Sequence, residues 1–139
     1  MAQTQTSPTE RSDDLQASPM MRHLMDALKD GKDIGHYGRL VFVMVARFFL
    51  PEEKIVALLA KDPDFSKEDA KALYAEVKAH GYNPPKENKI RQWQQQQDFP
   101  ICPSADDPNA CDVYQTLRFP DEVYDNIEEF WEQRVEAQS

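Results

Sequence analysis

Residues 38–50 read GRLVFVMVARFFL, and this stretch decides the fold. It is apolar on every side, so it belongs in an interior, as a central helix or as a buried strand. Periodicity alone does not separate the two. Its length, and the lack of neighbouring strand candidates, favour a helix. The segments on either side are then read as helices packed around it.

Upstream, Ser18-Pro19 opens a helix: the serine hydroxyl can accept an early amide, and proline suits the first helical position. Met21, Leu24, Met25 and Leu28 follow at helical spacing, and Gly31 supplies a stop. Downstream, Pro51-Glu52-Glu53 reads as the first turn of a helix with Ile55, Val56, Leu58 and Leu59 inward. Ser66 and Asp69 form a capping-box-like start to another, with Leu73, Tyr74 and Val77 on its face and Gly81 at its end. Asn83-Pro84-Pro85 is a break. Residues 86–97 suit a short helix around Ile90 and Trp93, with Gln94–Gln97 on its wet end. Residues 98–120 hold Pro100, Pro103, Pro108, Pro120 and both cysteines, and read as an irregular loop. A last helix is expected from Asp121 to Ala137, with Val123, Ile127, Phe130 and Trp131 inward.

The expected architecture is therefore all-α, a small single helical domain of about five or six helices spanning residues 18–137. Residues 1–17 are polar and read as a disordered tail. The chain of 139 residues has room for one core. No run approaches the roughly 20 apolar residues of a bilayer span. MAQTQTSPTERSDDLQAS lacks a secretory apolar core, so no membrane role and a cytoplasmic setting are expected.

The net charge is −9, of which −8 falls in residues 105–139, where ten acids face only Arg118 and Arg134. Such a balance disfavours non-specific binding to DNA along the whole surface but leaves room for a local site. Three histidines and two cysteines are the soft metal ligands, and Cys102-x8-Cys111 has no zinc-site spacing. A disulfide between them is open; the plainer expectation is two reduced thiols. Asp62-Pro-Asp64-Phe-Ser66 resembles the start of a calcium loop, yet Lys67 and Leu73 stand where Gly and a bidentate Glu are required. There is no Gly-rich phosphate loop and no nucleophile elbow.

Two places could carry binding. Gly35-His36-Tyr37-Gly38-Arg39 lies at the mouth of the central helix, where free amides and a guanidinium suit a phosphate. The same residues also fit close packing at Gly38, a surface Arg39 and a capping His36. Lys78, His80, Lys86, Lys89 and Arg91, interleaved with Tyr82 and Trp93, fit either a nucleic-acid face or an ordinary solvated one.

In order along the chain, five pieces resemble the C-terminal domain of the large, non-catalytic subunit of archaeal and eukaryotic DNA primase. Pro19-Met20-Met21-Arg22-His23-Leu24 is similar to its Pro-x-Cys-x-Arg-x-Leu opening. His36-Tyr37-Gly38-Arg39-Leu40, followed by Pro51-Glu52-Glu53, is similar to its His-Gly-Gly-Arg segment and the Leu-x-x-Glu turn. Tyr82-Asn83-Pro84-Pro85-Lys86-Glu87-Asn88-Lys89-Ile90 resembles Tyr-x-Pro-x-Ser-Cys-x-x-Ile. Cys102-Pro103 resembles the third cysteine, and Cys111 with Phe119-Pro120 and Tyr124 the fourth cysteine and the His-Pro-x-x-Tyr ending. The family binds a four-iron, four-sulfur cluster on four cysteines. Here Met20 or Met21 and Glu87 replace two of them, so the resemblance implies a shortened copy that has lost the cluster. Cys102, Cys111 and Glu87 are what remains of the ligand set.

The resemblance implies a non-catalytic accessory of DNA replication, partnered with a catalytic primase or polymerase subunit. Such a domain would hold an initiating nucleotide, or the 5′-triphosphate end of a primer–template, through His36 and Arg39. Tyr82, Lys86, Lys89 and Arg91 are the further candidates for nucleic-acid contact. Two other readings stand beside it: a protein-interaction module on a degenerate primase-like fold, and a helix-turn-helix DNA-binding protein using residues 51–60 and 67–80. Glu68, Asp69 and Glu76 count against the last.

Overall fold

The computed structural model describes residues 12–103 and 107–124, and it is all-α: among these residues there is no strand. The α-helices are, in chain order, α1 (Ser12–Leu15), α2 (Pro19–Lys29), α3 (Gly35–Ala46), α4 (Glu52–Leu59), α5 (Lys67–His80), α6 (Glu87–Gln94) and α7 (Val113–Thr116). A 3₁₀ turn, Pro108–Cys111, precedes α7. No helix among the described residues is long and apolar enough to cross a membrane.

The central segment is the buried helix. In α3, Gly38 and every residue from Val41 to Ala46 are buried, with α2, α4, α5 and α6 packed around them. Burying a side chain such as Phe42 contributes about 1.5–3 kcal/mol. The helix is displaced toward the N-terminus of the expected span, from 38–50 to 35–46. Pro51 disfavours helical backbone at Leu50, and the chain turns first, with Phe49 and Leu50 both donating to the Ala46 carbonyl at 2.8 Å.

The flanking helices start and stop where local chemistry dictates. Ser18 Oγ accepts the Met21 amide at 3.2 Å, with Pro19 in the first turn of α2. Ser66 and Asp69 complete a reciprocal capping box on α5, and Gly81 closes that helix in the left-handed conformation at φ 63°. A side chain there would be strained, which explains the glycine.

Four expectations need correction. Order begins before Ser18: Ser12–Leu15 is helical, and Leu15 is fully buried because its apolar side chain joins the core at that end. The proline-rich loop carries two short helical pieces rather than none. Cys102 and Cys111 are joined as a disulfide, not held as two thiols. The glutamine run is not simply wet: Gln95 and Gln96 are exposed, whereas Gln94 and Gln97 are partly buried and bond to backbone. The last helix is seen as 121–124 with Val123 buried; Ile127, Phe130 and Trp131 lie outside the described residues.

Candidate nucleic-acid interface

The amino end of α3 is the place where sequence and chemistry first meet. Gly35 takes φ 80°, and its amide donates to Asp33 Oδ1 at 2.8 Å. Two positions on, the Tyr37 amide is taken by Gln97 Oε1 at 2.9 Å. The same glutamine amide donates to the Ile34 and Phe99 carbonyls at 2.8 and 3.0 Å. A Cβ on Gly35 would collide with that side chain, so glycine is required on space as well as on φ. Gln97 thus sits where an incoming anion would bind.

Arg39 is committed as well. Its Nη1 lies 3.1 Å from Asp33 Oδ1 and 3.6 Å from Asp62 Oδ2, and its guanidinium lies 4.3 Å from the centre of the Phe65 ring. The Asp62 side chain is only 4% exposed, and its Oδ2 makes no hydrogen bond. Arg39 is the cation that balances it. The Gly35 amide holds the Asp33 carboxyl below its ordinary value against the opposing effect of burial, and Arg39 adds to the lowering. Two carboxylates around one guanidinium leave no net positive charge for a triphosphate. Arg39 thus joins the loop before α3 to the turn that follows α4, whereas the ring neighbour of His36 is Tyr37.

His36 has a different set of neighbours. It is exposed to solvent beside Tyr37, whose ring it meets edge-on, with centroids 5.2 Å apart. Tyr37 stacks on Trp93 of α6 at 5.5 Å and 14° between planes. Lys89, one turn earlier on α6, places its ammonium 5.5 Å from the centre of the Trp93 ring. Tyr37 Oη donates to Gln96 Oε1 at 3.2 Å, which fixes the ring. The result is a continuous ledge of imidazole, phenol, indole and ammonium built from two helices. Tyr37 and Trp93 are both partly buried, packed against the hydrophobic core.

The remaining candidates are dispersed. Arg91 pairs with Glu87 and donates to the Asp107 carbonyl at 3.5 Å, so both are engaged within the protein. Lys86 feels the charge of Asp112, and burial pulls its ammonium below the ordinary value. Tyr82 is exposed and stacks on His80 at 5.0 Å, with its carbonyl held by Arg47 Nη2 at 3.1 Å. Its ring partner is therefore at the end of α5 and not on the ledge.

The positions that the resemblance offers as cluster ligands are placed as follows. Met20 and Met21 are wholly buried, Glu87 is paired with Arg91, and the two sulfurs are bonded to each other. Among the described residues no three His, Cys, Asp or Glu side chains gather to hold a metal ion.

Asp33, Asp62 and Gln97 are not marked by sequence as members of a site, and Trp93 is marked without its partner Tyr37. A run of four glutamines looks like a solvated tail, and nothing local identifies Gln97 as a cap for a helix 60 positions away. Comparison with protein-family models, with curated proteins and with solved structures finds no match to this chain.

Proposed function

We propose that the chain is a non-catalytic accessory domain, similar in kind to the C-terminal domain of the primase large subunit, which holds single-stranded template or primer beside a catalytic primase or polymerase. The observation that carries this reading is the ledge of His36, Tyr37, Trp93 and Lys89. Bases stack on Tyr37 and Trp93, and Lys89 contacts a phosphate. Holding a strand in place removes part of the entropy cost of the first bond that a partner enzyme forms. The packing of the short segments supports the same relationship. In the resemblance, the start of α2, the start of α6 and the two cysteines are matched to the primase domain's four ligand positions. Here α2 and α6 both pack against the 3₁₀ turn ending at Cys111, and Gln94 Oε1 accepts the Ile101 and Cys102 amides at 3.0 Å each.

The neutralised Arg39 favours a second reading, a protein-interaction module that keeps the fold and binds no nucleic acid. One titration separates the two. The chain has two tryptophans, so Trp131→Phe leaves Trp93 as the reporter on the ledge. A short single-stranded oligonucleotide should quench it at low salt. Tyr37→Ala should weaken binding by roughly tenfold, the loss of about one stacked base. Lys89→Ala should lower the salt dependence. Absence of quenching, or an affinity untouched by Tyr37→Ala, sinks the nucleic-acid reading in favour of the interaction module. Preferential binding of one duplex sequence would favour the helix-turn-helix alternative.

A further inference from the structure

The segment that follows α6 is a strap across the amino end of α3. Gln97 holds the Tyr37 amide and the Ile34 carbonyl, and its Nε2 also donates to the Phe99 carbonyl at 3.0 Å. His23 of α2 donates from Nε2 to the Pro100 carbonyl at 2.8 Å and stacks on Phe99, with ring centroids 5.1 Å apart. Gln94 Oε1 accepts the Ile101 and Cys102 amides at 3.0 Å each, and Ile101 is fully buried. The strap therefore touches α2, α3 and α6, mostly through hydrogen bonds whose net worth is modest one by one.

Its far end is tied down covalently. Cys102 is bonded to Cys111, the last residue of the 3₁₀ turn, with Cα atoms 5.2 Å apart. That turn packs on α2 and α6, and both Ala110 and Cys111 are buried. The bridge thus fastens the strap to a seated piece of the fold, and Gln97, five residues before Cys102, stays within reach of α3. With the bridge cut, the strap rests on the hydrogen bonds above and on the Phe99 and Ile101 side chains. A local opening that moves no other helix then becomes accessible, and it releases the Tyr37 amide and the Ile34 carbonyl together. The chain has two cysteines, so no third thiol competes for either partner.

We propose that the Cys102–Cys111 bridge is a thiol–disulfide latch: oxidised, it holds the strap of residues 97–102 over the mouth of α3, and reduced, it lets the strap open and uncaps Tyr37. A dithiol reductant supplies two electrons and two protons. The S–S bond breaks, two cysteine thiols form, and the dithiol closes to its own disulfide. Glutathione disulfide reverses the change, taking the two electrons and two protons to become two glutathione thiols. Because Tyr37 carries the stack on Trp93, the latch sets how firmly the ledge is held. The proposal does not depend on what the ledge binds, and its test uses no ligand.

Residue-resolved amide hydrogen exchange on the full-length chain, with and without dithiothreitol, tests this. On reduction the Tyr37, Ile101 and Cys102 amides should lose roughly tenfold more protection than those of Leu59 in α4 and Val77 in α5. Exchange of the reductant for glutathione disulfide should restore it. Cys102→Ser combined with Cys111→Ser should show the reduced pattern without reductant. Gln97→Ala in the oxidised chain should expose the Tyr37 amide while Ile101 and Cys102 stay protected. Equal losses in every helix, or a Tyr37 amide as protected after reduction as before, overturn the proposal. So does a reduced chain that has lost its helical circular dichroism, since the bridge would then hold the whole fold and not a strap. Protection that the oxidant fails to restore overturns it as well.

Discussion

Gln97 caps α3 from 60 residues away: its Oε1 accepts the Tyr37 amide at 2.9 Å while its Nε2 donates to the Ile34 carbonyl at 2.8 Å. One side-chain amide thereby serves a donor of the first turn and an acceptor just before it. The same contact fills the anion position at the helix mouth and leaves Tyr37 fixed against Trp93.

Gln97→Ala should therefore cost about 1–2 kcal/mol, the usual loss for a cap and its paired carbonyl. Gly35→Ala should destabilise as well, because its Cβ meets the Gln97 amide and its φ is 80°. Urea midpoints of the two single variants and the double variant test the coupling. Full additivity would contradict it, since both changes disrupt one contact.

Arg39→Ala should cost about 3–5 kcal/mol, because it strands the buried Asp62 carboxylate. Adding Asp62→Asn should recover most of that loss, as the Asn oxygen can still accept the Asp64 amide at 2.9 Å. A variant with Arg39→Ala that is as stable as the parent would show that the guanidinium is free.

Asp33 titrates below its ordinary 3.8 in the folded chain. Its contribution is present above that value and is lost as pH falls through the lower, folded one. Asp33→Asn should flatten the acid limb of the stability curve below pH 3.8, as acid denaturation would show. The side chain is largely exposed, so the effect is small.

Tyr114 donates its hydroxyl proton to the Pro84 carbonyl, and burial, followed by the charges of Tyr124 and Asp112, pushes its phenol far above the ordinary 10.0. The stability it supplies is complete below pH 10.0 and is lost progressively as pH rises toward the folded value. Tyr114→Phe should cost about 1–2 kcal/mol at neutral pH and remove the corresponding alkaline limb. Equilibrium unfolding between neutral and alkaline pH reads both effects.

The Cys102–Cys111 bridge closes a loop over a sequence separation of 9. Loop entropy alone assigns it about 2–3 kcal/mol. Thermal unfolding with and without a phosphine reductant should show that loss, and Cys111→Ser should reproduce it without reductant. A melting temperature indifferent to both would place the stabilisation elsewhere.

Much of the fold was legible in the chain because its signals are local. Ser18 with Pro19, Ser66 with Asp69 and Gly81 act on backbone groups within four residues, and each stands where the spacing placed it. The site was less legible. His36 and Lys89 were both singled out, yet the stack of Tyr37 on Trp93 that joins them links positions far apart in the chain. Arg39 read as a free cation because Asp62 is distant in sequence and near only after folding.

By itself the sequence determined the longer helices, the caps at Ser18, Ser66 and Gly81, and the burial of the central segment, since helical hydrogen bonds and apolar periodicity act over a turn or two. Tertiary structure decided which polar groups remain available. Pairing by charge or hydrogen bond depends on distance in space, so Gln97 could claim the α3 amide and Asp62 could claim Arg39 with no mark in the neighbouring residues.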